Sequence, residues 1–134
     1  MEQETRVKQE FKVMVEVTVT EQMVEDLLCC AFEGGSNYWY MIDSFNYPEG
    51  ATQKSLGIEF PQLELPFRGG SLTISDIEDG DTKKTLDIKA IENGLKLLAT
   101  KYPSQWQAFI SENHDGDTGD VFLQLCLFGE VVFG

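Results

Sequence analysis

Acidic side chains recur along one predicted helix of this chain at a spacing that presents them together. Glu21, Glu25 and Glu33 fall on its outward face, and Asp26 lies alongside them. No lysine or arginine occurs between residues 12 and 54, so no base nearby in the sequence relieves these like charges, each pair of which costs a few tenths of a kcal/mol. A solvated helix face explains the pattern. A line of carboxylates displayed like backbone phosphates, which would bind a basic partner, explains it as well.

Three consecutive aromatic residues follow this helix in the stretch "FEGGSNYWY". In a strand, Tyr38 and Tyr40 point to one face and Trp39 to the other. We predict that Trp39 faces the core and that the tyrosines are partly exposed near the end of the acidic helix. Aromatic rings beside carboxylates suit an arginine-rich surface, through ion pairs and cation–π contacts. The alternative is that all three rings simply pack.

A second acidic segment, "ENHDGDTGD", contains Asp115, Asp117 and Asp120. Its spacing does not match a calcium-binding EF-hand loop: counted from Asp115, Asp120 and Cys126 stand where glycine and glutamate are needed. Aspartate and glycine also form turns, and acidic residues are favoured at helix N-termini. We therefore predict a secondary acidic loop without a metal or cofactor.

Side chains that could support nucleophilic catalysis are few and badly placed. His114 is the single histidine and lies in the Asp-rich loop, while Cys29, Cys30 and Cys126 have apolar neighbours. We expect small buried thiols, since an apolar setting disfavours the reactive thiolate. The prediction is a protein without enzymatic activity.

The net charge of −13, from 23 acids and 10 bases, narrows the choice of partner. Phosphate binding needs clustered lysine and arginine, so nucleic acid and anionic membranes are poor direct partners. A basic protein is the natural complement. The polar start "MEQETRVKQE" has no apolar signal region, and no segment is long enough to span a bilayer, so we expect a cytoplasmic protein.

Hydrophobic periodicity predicts the elements that position these side chains. Strict alternation over residues 11–19 predicts a half-buried, central or near-central strand. Apolar residues at helical spacing predict a helix over 21–33, which we expect Gly34 and Gly35 to end by a left-handed conformation. The aromatic-rich residues 37–47 favour a second strand.

The second half of the chain predicts a hairpin and further helices. Residues 59–77 fit a hairpin that turns at Gly69 and Gly70. Residues 86–102 have helical spacing, and a short helical turn follows Pro103. Residues 120–128 are so apolar that a helix and a strand both fit, although leucine enrichment and an Asp-Thr start favour the helix.

This order of elements is not a regular strand–helix alternation, so it predicts an α+β fold. We expect a single domain over residues 11–134, with two to four helices packed on a mostly antiparallel sheet. Residues 1–10 would form a flexible arm.

Two stretches, "VTEQMVEDLLCCAFEGGSNYWY" and the ending "LFGEVVFG", resemble a group of small phage and prophage proteins. The group shares a helix followed by EGG-x-NYW and a terminal FGE-x-V-x-G, and the likeness covers residues 18–40 and 117–134. It carries no activity to transfer, and it implies a phage-encoded protein acting inside a bacterial cell. Small acidic phage proteins without catalytic motifs are similar, by analogy, to anti-CRISPR and antirestriction proteins that imitate nucleic acid.

Three functions follow as hypotheses. The first is an acidic binding protein that occupies a basic, nucleic-acid-binding surface of a host defence effector or nuclease, through the acidic helix, Tyr38 and Tyr40. The second is a homo-oligomeric sponge for a nucleotide-like signal, in which Arg68 beside Gly69 and Gly70 is the candidate phosphate-binding base. The third is a phage accessory or assembly protein without catalytic activity.

Overall fold

In the computed structural model, which describes residues 6–134, five helices accompany a three-stranded antiparallel sheet. In chain order the elements are α1 (Glu21–Cys30), β1 (Tyr40–Asn46), α2 (Pro61–Glu64), β2 (Ser71–Asp76), β3 (Lys83–Leu86), α3 (Ile88–Lys101), α4 (Pro103–Ile110) and α5 (Gly116–Phe128). A π-helical turn, Ala31–Gly35, continues α1, and a 3-10 turn, Leu65–Arg68, continues α2. The predicted α+β class is confirmed. No helix in the described part of the chain is both long enough and apolar enough to cross a membrane.

The sheet has the order β1-β2-β3, with β2 in the centre. The β1–β2 register runs from Tyr40 opposite Asp76 to Asn46 opposite Ser71, and it shifts by a bulge between Ile42 and Ser44. Leu72 and Ile74 of β2 are buried in the hydrophobic core. The central strand therefore comes from the second arm of the predicted hairpin.

Helix α5 is the centre of the helical layer, and every residue from Phe122 to Leu127 is buried. The Asp115 side chain caps its N-terminus by accepting the backbone N–H of Thr118, and Gly129 ends it at φ +73°. A cap at each end and an apolar surface on all sides are typical of a helix buried in a core. The helix predicted over residues 120–128 is confirmed.

Backbone contacts between glycines let α5 lie close to α1 and its π-helical turn. A Cβ on Gly35 would overlap the carbonyl oxygen of Gly116, and one on Gly119 would lie 2.6 Å from the Ala31 nitrogen. The predicted left-handed conformation at Gly34 and Gly35 is wrong, because neither residue has positive φ. Gly35 is required for close approach rather than for backbone reversal.

The strand predicted over residues 11–19 does not form part of the sheet. This segment has neither helix nor strand, and Phe11, Val13 and Val15 are 81%, 79% and 77% exposed. Alternation shows which side chains share a face, but a strand also needs a partner strand, and residues 11–19 pair with none of the three strands of this sheet. Of the predicted flexible arm 1–10, residues 1–5 lie outside the described residues.

In the predicted hairpin over residues 59–77, the first arm is wrong because it is helical, and the second arm is the strand β2. Pro61 begins α2 at the first helical position, where a missing N–H costs nothing, and the 3-10 turn then ends at Gly69 with φ +83°. β2 pairs with β1 and β3 rather than with residues 61–68. Pro61 thus starts a helix where the hairpin prediction places a strand.

Adjacent glycines provide a matched test of the close packing. Gly35→Ala should destabilise the fold by about 1–3 kcal/mol, because the new methyl group forces the Gly116 backbone away. Gly34→Ala should be neutral or stabilising by up to about 1 kcal/mol, because nothing lies within 4 Å of its Cβ position. Chemical denaturation measures both variants. Equal stability of the two would contradict the packing argument.

Candidate functional site

Four carboxylates surround one open groove between α1 and the residues that lead into α2. The groove has a volume of about 360 Å³. We call it the acidic groove, and its lining residues are Gln22, Glu25, Asp26, Cys29, Glu59, Phe60, Leu63 and Glu64. Two of the four acids come from the predicted acidic helix, and the other two were not predicted.

The wall formed by α1 is positioned by the helix's own pattern. Thr20 begins the helix with a capping box, in which its hydroxyl oxygen accepts the N–H of Met23 at 3.2 Å. Val24, Leu27 and Leu28 are buried, which directs Glu25 and Asp26 outward into the groove. Helical periodicity therefore accounts for this wall.

The opposite wall is positioned by one glutamate. The Glu64 carboxylate accepts the backbone N–H groups of Glu59 at 3.0 Å and Phe60 at 2.6 Å, so it fixes the turn at the start of α2. This contact leaves the Phe60 side chain 50% exposed at the groove. Sequence reasoning missed Glu59, Phe60 and Glu64. Pro61 at a helix start, followed three residues later by a glutamate, was the signal that could have found them.

Crowded negative charge changes the acid–base properties of the groove. Burial raises the pKa of Glu25, and the nearby charges of Glu21 and Glu64 raise it further, although Arg68 partly opposes them. Burial also raises the pKa of the Cys29 thiol, with a further contribution from Glu33. The groove therefore favours a cation and disfavours a thiolate.

Glu21 and Arg68 form an ion pair, with 3.1 Å between Oε1 and Nη1. The predicted phosphate-binding base thus already has a carboxylate partner. Gly69 has φ +83° and ends the 3-10 turn, while a Cβ on Gly70 would lie 2.5 Å from the Leu65 side chain and 2.6 Å from a backbone oxygen. Both glycines serve chain reversal and packing here. Arg68, which is distant from the acidic helix in the sequence, therefore supplies the base that the neighbouring sequence lacks.

The remaining predicted partner-binding residues do not line the groove. Glu33 is exposed in the π-helical turn. The Tyr40 hydroxyl donates to the Phe32 carbonyl oxygen at 2.7 Å, and the two rings lie 5.2 Å apart. Tyr38 keeps an exposed ring but donates its hydroxyl to Asp120 at 2.6 Å. Trp39 is buried, as predicted.

Asp120 is a buried side chain rather than part of a surface acidic loop, which corrects its predicted placement. It is 6% exposed, and its carboxylate accepts from Ser36 Oγ and Trp39 Nε1 at 2.7 Å each and from Gln124 Nε2 at 3.1 Å. Burial, and then the hydrogen bond to Asp120, raises the pKa of Tyr38 to about 12. These three donors and the Tyr38 hydroxyl give the Asp120 carboxylate four hydrogen bonds, which make it a structural centre.

The other two acids of the predicted loop also have separate roles. Asp115 caps α5, and its hydrogen bond from the backbone of Thr118 lowers the pKa of its carboxyl. Asp117 is exposed and accepts from Gln105 Nε2 at 2.8 Å. Over residues 6–134, no three histidine, cysteine, aspartate or glutamate side chains come together in a group that could hold a metal ion.

The two stretches that carry the family resemblance meet in space. Gln124 Oε1 accepts the N–H groups of Val132 at 2.7 Å and Phe133 at 2.8 Å. The Phe133 ring stacks on Trp39 with 4.9 Å between centroids and 12° between planes. The aromatic stretch after α1 and the chain's last residues are therefore held together by Asp120 and Gln124. Packing accounts for both motifs.

Comparisons with known proteins return no match. This holds for protein-family models, for curated proteins and for solved structures.

Replacing the buried carboxylate should be costly. Asp120→Asn puts an amide donor among groups that already donate, and it should destabilise the fold by about 2–4 kcal/mol. The control Asp117→Asn, which loses one exposed contact, should change stability by less than about 0.5 kcal/mol. Denaturant unfolding, followed by the fluorescence of Trp39 and Trp106, compares them. Similar stabilities would contradict the central role of Asp120.

The raised pKa of Glu25 determines the direction in which the free energy of unfolding changes with pH. The folded chain holds this proton more tightly than the unfolded chain, whose carboxyl has the ordinary pKa of 4.5, so stability is lost as pH rises through the folded-state value. Glu25→Gln removes this loss and should raise the melting temperature near pH 7 by about 1–3 °C. The gain should vanish below about pH 4. The same gain in the control Glu49→Gln, which is exposed elsewhere, would contradict this.

Proposed function

We propose that this chain is an acidic binding protein that occupies a basic, nucleic-acid-binding surface of another protein. The observation that carries the proposal is the acidic groove, in which four of the eight lining residues are acids and none is a base. Together with the resemblance to phage proteins, this supports a host defence effector or nuclease as the partner, reached inside the bacterial cell.

The groove has the chemistry to receive a lysine or arginine side chain. Glu25, Asp26 and Glu59 supply carboxylates for ion pairs, and an arginine guanidinium can donate two parallel hydrogen bonds to one carboxylate. The exposed ring of Phe60 adds a cation–π surface. Leu63 offers apolar area for the aliphatic stem of the bound side chain. Each part of a long basic side chain thus has a matching surface.

The charge outside the groove supports fast association. The exposed acids Glu112, Asp117 and Glu130 lie in a segment without lysine or arginine, and the whole chain has a net charge of −13. A strong single-sign field steers an oppositely charged partner and raises the association rate. A surface evolved to bind nucleic-acid phosphates is basic and would respond to the same field.

Other functions have less support. In the nucleotide-sponge hypothesis Arg68 must bind phosphate, but its guanidinium is paired with Glu21. An apolar cavity of about 320 Å³ between α1 and α3 is lined by Glu21 and Glu92, which disfavour an anion. For an enzyme based on a thiol nucleophile, burial raises the pKa of Cys29, Cys30 and Cys126, which opposes thiolate formation.

The first experiment identifies a partner and asks which surface is used. The full chain is immobilised to capture proteins from a bacterial host lysate, and each captured protein is then challenged with duplex DNA. A partner bound through its nucleic-acid site should be released by DNA in competition. Capture of a protein that DNA does not displace would overturn the mimicry proposal for that partner.

Charge-neutral variants then locate the binding surface. Glu25→Gln/Asp26→Asn/Glu59→Gln should keep the fold and lower the association rate by about tenfold or more at low salt, with a weaker salt dependence. Glu64 is left in place because it holds the α2 turn. The control Glu49→Gln/Glu78→Gln/Glu130→Gln makes the same charge change at exposed sites outside the groove and should have a smaller effect. Stopped-flow measurements compare them.

A third variant tests the aromatic contact. Phe60→Ala should leave the association rate nearly unchanged and raise the dissociation rate, as the loss of a packed anchor does. If both triple variants bound the partner equally and Phe60→Ala had no effect, the acidic groove would not be the binding surface.

A further inference from the structure

Residues 11–19 form neither helix nor strand and expose most of their alternating apolar side chains, and we call this segment the arm strand. Phe11, Val13, Val15 and Val17 share one face of this alternation and are all exposed, and Val19 packs at the edge of the core. Met14, on the other face, is 98% exposed. β-branched residues in strict alternation are the composition of a half-buried strand, yet none of the three strands of the sheet comes from this segment.

The sheet has one edge that suits an added strand. Among the described residues β1 pairs only with β2, and five of its seven residues are exposed. Ile42 and Phe45 pair with the buried Ile74 and Leu72, so they face the core side, but Phe45 is still 42% exposed. An apolar strand beside β1 would extend this face and cover both side chains.

The opposite edge is less suitable. β3 has four residues and begins with Lys83 and Lys84, both exposed. Exposed lysines on a short edge strand are a common protection against strand addition. β1 has no lysine or arginine and, with seven residues, is closer in length to the nine-residue arm strand.

Chain direction favours the β1 edge of a second copy, and the small charge of the segment does not oppose it. Residues 1–19 contain three of the chain's ten bases and four of its 23 acids, so this part has a net charge of −1 while residues 20–134 have a net charge of −12. The arm strand continues directly into α1 at Glu21 and has no turn that returns it to its own sheet. A second copy offers the same acidic body and the same edge.

We propose that the arm strand of one copy adds to the β1 edge of a second copy as a fourth strand, and that the exchange is reciprocal. Backbone hydrogen bonds along β1 and burial of the valine face against Ile42 and Phe45 would hold the dimer. Reciprocal exchange produces a closed two-fold assembly rather than a filament. The assembly uses no residue that lines the acidic groove.

Sedimentation equilibrium of the full chain tests the dimer. Wild type should be dimeric, and Val13→Lys/Val15→Lys should weaken the dimer by at least about tenfold per valine, since each buried valine is replaced by a charge. The control Met14→Lys/Thr18→Lys makes the same charge change on the opposite face and should dimerise as wild type does. A monomeric wild type at about 100 μM, or equal dimerisation of both variants, would overturn the proposal.

Hydrogen exchange identifies the acceptor strand. Amides of residues 11–19 and of β1 should be protected in wild type and lose protection in Val13→Lys/Val15→Lys, while β2 stays protected in both. A protected arm strand with β1 unaffected by the variant would mean that two arm strands pair with each other. That result would overturn the assignment of the β1 edge.

Discussion

The buried carboxylate of Asp120 is the interaction on which the rest of this structure depends. It accepts hydrogen bonds from Ser36, Tyr38, Trp39 and Gln124, and Gln124 in turn binds the backbone of the chain's last residues. A buried carboxylate without these donors would be costly, so the segment after α1, helix α5 and the chain's end must assemble together. Trp39, which donates to the carboxylate, is itself buried and stacked on Phe133.

Close backbone packing makes this arrangement possible. Gly35, Gly116 and Gly119 have no side chains, which allows the turn after α1 and the start of α5 to approach within the distance that the hydrogen bonds to Asp120 require. Because α1 is held rigidly on its apolar side, its acidic side faces outward in a fixed orientation toward Glu59 and Phe60. One face of α1 therefore packs into the core, and its opposite face forms one wall of the acidic groove.

The acidic groove is stabilised less by contacts between its own side chains than by the packing of the surrounding elements. Its carboxylates repel one another, as the raised pKa of Glu25 indicates, and Arg68 offsets this at one end through Glu21. Such repulsion is tolerated at a solvent-exposed surface and is relieved when a cation binds. The exposed valines of the arm strand are a comparable case, because an apolar strand face without a neighbour gains free energy when an edge covers it.

The sequence by itself determined what depends on neighbouring residues: the helix of residues 21–33, the helix of 86–102, the strand within 37–47 and the strand-like alternation of 11–19. Each of these rests on local periodicity, capping and turn chemistry. Only the tertiary structure decided which distant segments meet. The sequence predicts Asp120 as a loop acid because three of its four donors lie more than 80 positions away. Glu59 and Glu64 fall in the predicted hairpin, because the contact of the Glu64 carboxylate with the turn before α2 appears only in the folded chain. Residues 11–19 pair with none of the three strands, because pairing depends on which segments pack together and not on alternation alone. Long-range contacts follow from packing of the whole core, which no short stretch encodes.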